Sequence, residues 1–351
     1  MGVKDVDSHK LSFHPKSLCK WLNNEPIAPL HIELGITNRC NHRCKFCTLN
    51  WINHGGVDID KKIMIQTIED FAEMGVKSIY FAGEGEPTLH KDLAFFIEKA
   101  YDLGIKIAIS TNGSLFDNNL ANKILGKLSW IRFSLDAFKP STFKELHGVG
   151  NVEFYKVLEN IASCVKIKRE NKYSVEIGVQ AIFESANCNE MVQLCEMVKD
   201  IGVDNFQVKP AHDHPKSSYH PGFYDYSGEI KNSLEKIETE DFKVIVRLKS
   251  LERIKVKRNY KECHGFNFYG LIDANGSVVP CNIFYNNPEF IYGNINDNRF
   301  KDIWFSERRK SIMEKIYESN HQYCAEYRCR LDVMNRYLER VKNPERNDDF
   351  I

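Results

Sequence analysis

The sequence predicts an α/β protein: a partial (β/α)6 barrel followed by a smaller, cysteine-rich α+β extension. Three observations carry this. Short β-branched apolar runs alternate with helical segments about six times between residues 30 and 211. The runs are read as apolar on both faces, as parallel strands covered by helices must be. After residue 221 the alternation gives way to a hairpin pattern and four cysteines, Cys263, Cys281, Cys324 and Cys329.

The elements follow in order. HIELGI (31–36) is the first strand, and a helix is expected at 61–74, where Met64, Ile65, Ile68, Phe71 and Ala72 share one face. SIYFAG (78–83), a helix at 92–103 and IKIAIST (105–111) continue the pattern. A helix at 120–128 leads to WIRFSLDA (130–137), one at 154–167 to VEIGVQAIF (175–183), and one at 190–201 to NFQVKPA (205–211). Beyond 221 come a helix, the strand-like FKVIVRL (242–248) and CHGFNFYGLIDANGSVVPC (263–281), whose Asn275-Gly276 marks a tight hairpin. The predicted division is an N-terminal segment at 1–29, the barrel at 30–221, and the extension with a surface tail at 222–351. Barrel-like folds of this kind place their chemistry on loops at the C-terminal ends of the strands.

Composition removes several function classes. Forty-eight basic and 48 acidic residues balance, so no global cationic field recruits nucleic acid or an anionic membrane. The start, MGVKDVDSHKLSFH, lacks a signal-peptide core, and no run approaches the roughly 20 apolar residues of a membrane span. A cytoplasmic protein is expected. Eleven cysteines, an odd number, do not make a disulfide framework in such a compartment, which leaves metal or redox chemistry.

CNHRCKFC, at the end of the first strand, puts Cys40, Cys44 and Cys47 in one loop. Three thiolates occupy three corners of a tetrahedral site, and soft sulfur suits Zn²⁺ or an iron–sulfur centre. A structural zinc site needs a fourth ligand, for which His42 and His54 are the candidates. A [4Fe–4S] cluster held by three thiolates instead leaves one iron open for a substrate.

The C-x3-C-x2-C loop, with Phe46 before its third cysteine, resembles the signature of the radical S-adenosylmethionine (SAM) superfamily. FAGEGEPTLH resembles the family's GGEP segment through Gly85, Glu86 and Pro87, with Glu84 in place of the first glycine. ISTNG, with Ser110, Thr111 and Asn112, resembles the segment that contacts the SAM ribose, and FSLDA, with Ser134 and Asp136, the segment near the methionine carboxylate. Taken singly, STNG reads as a turn and Ser134 and Asp136 as a strand end. In GEGEP, flanking carboxylates disfavour phosphate and favour an ammonium. Together, at successive strand ends, these motifs carry the resemblance.

The resemblance implies that Cys40, Cys44 and Cys47 bind a [4Fe–4S] cluster whose fourth iron chelates SAM. Phe46 then lies against adenine, Glu86 accepts from the SAM ammonium, and a flavodoxin- or ferredoxin-type donor supplies the electron that releases a 5′-deoxyadenosyl radical. The C-terminal unit resembles a SPASM or twitch cluster-binding extension, in which Cys263, Cys281, Cys324 and Cys329 hold an auxiliary [4Fe–4S] cluster. A four-thiolate zinc site is the alternative there. An auxiliary cluster able to accept the substrate-radical electron implies a radical SAM oxidoreductase.

The substrate is read from less. Only 39 residues precede Cys40, too few for a leader-recognition module, which favours a small molecule such as a sugar, cyclitol or nucleotide sugar. Lys209, His212, His214, Lys216 and Tyr219, at and after the sixth strand, are candidates to line the mouth of the site or to be solvated loop residues. Peptide or protein side-chain modification, radical epimerisation with Cys188 or Cys195 as hydrogen donor, and a non-enzymatic zinc adaptor stand as alternatives. No ferredoxin-type cysteine run points to a glycyl-radical activase.

Overall fold

The computed structural model describes residues 9–52, 54–211, 214–220, 228–247, 256–319, 324, 329–348 and 350. The first helix, α1 (Pro15–Leu22), begins with a proline, which lacks an N–H that a helix start leaves unpaired anyway. Its Leu18 packs with Leu11, Ile27 and Leu30 against Phe268 and Leu338, so the N-terminal segment covers part of the C-terminal unit.

Seven strands then run parallel: β1 (His31–Leu34), β2 (Ser78–Phe81), β3 (Lys106–Thr111), β4 (Trp130–Ser134), β5 (Glu176–Phe183), β6 (Asn205–Pro210) and β7 (Lys243–Val246). Between them lie α2 (Lys61–Met74), α3 (Leu93–Asp102), α4 (Asn118–Ile124), α5 (Pro140–His147), α6 (Asn151–Asn171), α7 (Met191–Ile201) and α8 (Gly228–Glu235). Helix α2 starts where the Asp60 carboxylate accepts from the N–H groups of Lys62 and Ile63, and it buries Met64, Ile68 and Phe71 against the sheet. Short α5 was not legible in the sequence as a separate helix: eight residues between Pro140 and Gly148 carry too few turns for a periodic signal.

Two departures from the sequence reading bear on function. FKVIVRL, grouped with the extension, is instead β7 and pairs with β6, because a strand pattern shows that a strand exists but not which edge it joins. The strands are also apolar chiefly on their outer faces. Ile32, Leu34, Ile79, Phe81, Ile109, Ile131, Phe133, Ile177, Val179, Phe206 and Val208 are buried under the helices. The opposite register positions hold Glu33, Tyr80, Ser110, Arg132, Ser134, Gln180, Gln207 and Lys209. Most of these inward side chains keep accessible surface, so the interior is a polar lumen rather than the side-chain-filled core of a closed barrel.

The C-terminal unit completes the same sheet. β8 (Tyr269–Ile272) lies parallel to β1, and β9 (Ser277–Val279) and β10 (Gly293–Asn294) follow antiparallel, giving the order β10-β9-β8-β1-β2-β3-β4-β5-β6-β7. Gly276, at φ +83°, supplies the left-handed residue of the β8–β9 turn. Among the described residues, helices α9 (Phe300–Trp304), α10 (Glu307–Glu318) and α11 (Asp332–Lys342) pack around it.

Candidate active site

The cysteine loop leaves β1 and is braced from three strand ends. Arg39 Nη2 reaches Asp58 Oδ2 and the Leu89 carbonyl, both at 2.6 Å, and the Glu86 N–H donates to the Arg39 carbonyl at 2.8 Å. Gly85 must be glycine for this contact: a Cβ there would stand 2.3 Å from the Thr37 carbonyl oxygen and 2.6 Å from that of Arg39. Asn112 Nδ2 donates to Asn41 Oδ1 (2.8 Å), and Asn41 Nδ2 to Ser114 Oγ (2.7 Å), which ties the third strand end to the loop.

Glu86 is nearly fully buried, and its carboxylate is the hub of this brace. Oε1 accepts from Thr88 N, Thr88 Oγ1 and Thr111 Oγ1 at 3.1, 2.7 and 2.7 Å, and Oε2 accepts from Asn112 N at 2.7 Å. Burial pushes its pKa up and these hydrogen bonds pull it back. Its Oε2 keeps acceptor capacity for a further donor. Glu84 behaves differently. Its Oε1 accepts from Ala274 N at 2.8 Å, so the residue replacing the family's first glycine fastens the GEGEP loop to the β8–β9 turn.

Sequence reasoning missed His147, which organises the other side of the loop. Its Nδ1 lies 3.4 Å from Cys44 Sγ and 3.2 Å from His42 Nδ1, and its Nε2 is 3.0 Å from Asp136 Oδ2, though not aligned for a hydrogen bond. Phe46 meets the edge of the His147 ring, with centroids 5.8 Å apart. Asp136 is buried and its Oδ1 also accepts from Ile182 N. Ser110 accepts from the Tyr80 hydroxyl at 2.7 Å, and Ser134 ends β4 half-buried in the lumen. Glu86, Thr111, Asn112 and the cysteine loop are thus one bonded unit, and Asp136 reaches it through His147.

Both groups of thiols are shielded. Burial pushes Cys40 up to about 11 and raises Cys44 and Cys47, with the neighbouring Glu86 and Cys47 adding to the effect at Cys40. In the C-terminal unit, burial and the other thiols push Cys281 up to about 12 and Cys324 to about 11, and raise Cys263 and Cys329. Asn335 Nδ2 donates to Cys263 Sγ at 3.2 Å. Thiolates in such places require a bound cationic centre.

Spacing bears on the zinc alternative. A tetrahedral zinc–thiolate site has sulfurs about 3.8 Å apart, given a Zn–S bond of about 2.3 Å. Among the described residues, the set of three ligating groups with donor atoms within 4.8 Å of one another is His42, Cys44 and His147; no three thiols of either group are that close. His54, the other candidate to close a zinc site, directs Nδ1 to the Asn38 carbonyl at 2.7 Å.

The candidates after β6 divide. Lys209 points into the lumen. His214 is buried, stacks on Trp51 at 5.3 Å and lies 3.3 Å from the Asn282 carbonyl through Nε2. Lys216 Nζ lies 4.6 Å from the Trp51 ring centre and donates to the Tyr285 carbonyl at 3.1 Å. The Tyr219 hydroxyl donates to Glu184. These three are therefore not simple mouth residues: His214 and Lys216 clamp the loop after Cys47 to the loop after Cys281. His212 falls outside the described residues. Cys195 is packed in the outer core on α7, and Cys188 Sγ donates to the Ser185 carbonyl at 3.3 Å, so neither is placed as a lumen hydrogen donor.

The two cysteine regions meet at the lumen. Arg330, directly after Cys329, pairs with Glu33 on β1, and its Nη1 donates to the Tyr269 hydroxyl at 3.0 Å, while that hydroxyl donates to Glu33 Oε2 at 2.9 Å. The nearby Tyr285 hydroxyl is buried without a hydrogen-bond partner among the described residues. The signal for Arg132, Glu33 and Arg330 lay in the sequence as charged residues among apolar strand positions or beside a ligand, but their common destination did not.

Comparison with known proteins agrees with this geometry. Residues 34–180 match the Radical SAM superfamily, and residues 263–330 match the SPASM iron–sulfur cluster-binding domain. The chain is 28% identical over 302 residues to the tungsten-containing aldehyde ferredoxin oxidoreductase cofactor-modifying protein of Pyrococcus furiosus, covering 79% of this chain and 81% of that one. It is 25% identical over 315 residues to the GTP 3′,8-cyclase of Clostridium perfringens, covering 84% and 91%. In fold it is similar to Streptococcus suis SuiB bound to precursor peptide SuiA, with TM-score 0.65, 18% identity, and 86% of this chain and 70% of that one covered. The Radical SAM domain implies a [4Fe–4S] cluster and SAM, and the SPASM domain implies auxiliary iron–sulfur clusters; the chain belongs to the radical SAM superfamily, with a C-terminal SPASM domain.

Proposed function

We propose that this enzyme cleaves SAM reductively, removes a hydrogen atom from a small molecule held in the barrel lumen, and completes a two-electron oxidation of it. The carrying observation is the contact of Arg330, next to the auxiliary ligand Cys329, with Glu33 inside the barrel. It supports a reading in which the auxiliary unit borders the space a substrate would occupy. When bound, the cofactors supply a hydrogen-abstracting radical at one end of the lumen and an electron acceptor at the other.

The chain's own residues do the rest. Cys40, Cys44 and Cys47 hold the first cluster, and Cys263, Cys281, Cys324 and Cys329 hold the second. Gly85 and Glu86 would shape the SAM pocket, where Glu86 Oε2 has acceptor capacity for an ammonium, and Ser110, Thr111, Asn112 and Ser134 would complete its polar wall. Asp136 lies beside His147, which stands next to Cys44. The helix-covered barrel and the His214–Lys216 clamp exclude water, which protects a radical from quenching.

For an alcohol substrate, the bound cofactors would supply an acceptor for the hydrogen atom, as 5′-deoxyadenosine, and one for the second electron, while the hydroxyl proton would pass to solvent. A sugar, cyclitol or nucleotide sugar meets these requirements. Peptide side-chain oxidation is the second reading, favoured by the fold likeness to a structure solved with its precursor peptide. The test is turnover of candidate substrates in D2O by the anaerobically purified enzyme. One 5′-deoxyadenosine per ketone or imine product, without carbon-bound deuterium, supports oxidation; an isomer of unchanged oxidation state carrying one deuterium overturns it.

A further inference from the structure

Only part of the Arg330–Glu33 ion pair is engaged by the protein. Arg330 Nη1 serves both Glu33 and the Tyr269 hydroxyl, and Glu33 Oε2 takes both Nη1 and that hydroxyl. Among the described residues, Arg330 Nε and Nη2 donate to nothing and Glu33 Oε1 accepts from nothing. The Arg330 side chain keeps 43% of its surface accessible, although it lies deep in the fold among Glu33, Tyr269, Tyr285 and Tyr80. That surface opens on the lumen. Contact with Glu33 answers the guanidinium charge, so the pair offers two donors and an acceptor with no net charge.

A second free group stands next to it. Two residues beyond Glu33, on the same side of the chain, is Gly35, which has no side chain. The Tyr285 hydroxyl occupies that gap: a Cβ on Gly83 would stand 3.4 Å from it and 3.3 Å from Gly35 Cα. Lys216 Nζ holds the Tyr285 carbonyl at 3.1 Å, which fixes the residue in place. The ring is fully buried, and its hydroxyl has no hydrogen-bond partner. Burial first, then Glu33 and Glu84, push the phenol well above its ordinary range, so it remains a neutral donor. An unpaired buried hydroxyl is costly, and a ligand oxygen beside it removes the cost.

We propose that Arg330, Glu33 and Tyr285 form a subsite in the lumen that binds neighbouring hydroxyl groups of an uncharged polyol. The inference rests on the reading that the substrate occupies the lumen, and it narrows the recognised part of that substrate to a neutral sugar or cyclitol ring. A hydroxyl both donates and accepts, so one hydroxyl can give its proton to Glu33 Oε1 while receiving Arg330 Nε or Nη2. Its neighbour on the ring then lies toward the Tyr285 phenol, one side-chain position further along β1. An anion would meet a guanidinium that is already paired, with the Glu33 carboxylate beside it, and gains less there than a hydroxyl does. Arg330 directly follows Cys329, so a ring held by these groups stands on the side of the auxiliary unit.

The test titrates myo-inositol and D-glucose calorimetrically into the anaerobic holoenzyme with SAM bound, with citrate as the anionic comparison. The wild type should bind at least one neutral probe, and bind it more tightly than citrate. Tyr285→Phe should weaken that binding about fivefold or more, the loss of one hydrogen bond, at unchanged iron content. Its melting temperature should stay level or rise, because the hydroxyl removed has no partner in the protein. Glu33→Gln should weaken the neutral probe and tighten citrate, since the guanidinium loses its counter-charge. No binding of either neutral probe, tighter binding of citrate by the wild type, or equal polyol binding by Tyr285→Phe overturns the subsite. So does an earlier melt of Tyr285→Phe, which would show its hydroxyl bonded within the protein. If Glu33→Gln does not retain its iron, Tyr285→Phe decides alone. The probes bind without turnover, so a failed subsite shows here, whereas a failed oxidation reading shows as a deuterated isomer in D2O.

Discussion

At the residue scale, the seven cysteines proposed as cluster ligands and Glu86 make separable predictions. Cys44→Ala removes a ligand of the first cluster and Cys281→Ala one of the second, so each variant should lose about four of about eight irons and keep the rest. Cys44→Ala should also abolish SAM cleavage. Iron and sulfide analysis after anaerobic reconstitution checks this, and loss of all iron in both variants would contradict two independent sites. Glu86 has a structural role that its motif does not reveal. In Glu86→Gln one acceptor becomes an N–H donor facing the Thr or Asn112 donors, at a cost of about 1–3 kcal/mol. The variant should therefore melt earlier before any SAM is added, and bind SAM more weakly afterwards. Unchanged stability with weakened SAM binding would confine Glu86 to ligand contact.

Two joints carry testable consequences at the scale of the element. Glu84 is pushed up to about 7 by burial and by Asp273, and Asp273 to about 6 by burial. A carboxyl raised above its unfolded value binds its proton more tightly in the folded state. Stability should thus fall as pH rises from about 4.5 to about 7, by at most about 3 kcal/mol for Glu84. Glu84→Gln keeps an oxygen for Ala274 N and removes the repulsion, so it should flatten this part of the pH–stability curve; an unaltered slope in urea melts would acquit Glu84. The second joint is the Trp51 clamp. Trp51→Ala removes the His214 stack and the Lys216 cation–π contact, together worth about 1–2 kcal/mol. Amide exchange at 282–285 should accelerate, and unchanged protection there would show that Trp51 does not hold the auxiliary loop.

For the whole molecule, the continuous sheet matters more than the cysteine-rich composition of its end. β8 covers the edge of β1, and β7 covers the edge of β6. A chain cut to residues 30–221 has neither strand and exposes both edges, which is a recipe for intermolecular pairing. Such a fragment should be insoluble or form oligomers in size-exclusion chromatography, whereas a soluble folded monomer would show that the barrel half is self-sufficient. Among the described residues, no helix is long and apolar enough to cross a membrane.

By itself the sequence determined the run of elements and the chemistry-bearing motifs. Hydrophobic periodicity and turn residues are local, so α2 and the Asn275-Gly276 turn could be read where they stand. The Cys40, Cys44 and Cys47 motif and the GEP segment were equally readable, because their residues stand close together in the chain. Tertiary structure alone decided what lay across the sheet. His147 comes to Cys44 from 103 residues away, Arg330 to Glu33 from 297, and Ala274 to Glu84 from 190. It also decided that the inner faces of the strands line a polar lumen, since alternation in one strand cannot say whether its second face meets side chains or an open space. Those contacts depend on strand order and on which edge β7 and β8 join, and both are set by burial summed over the sheet rather than by any short stretch of residues.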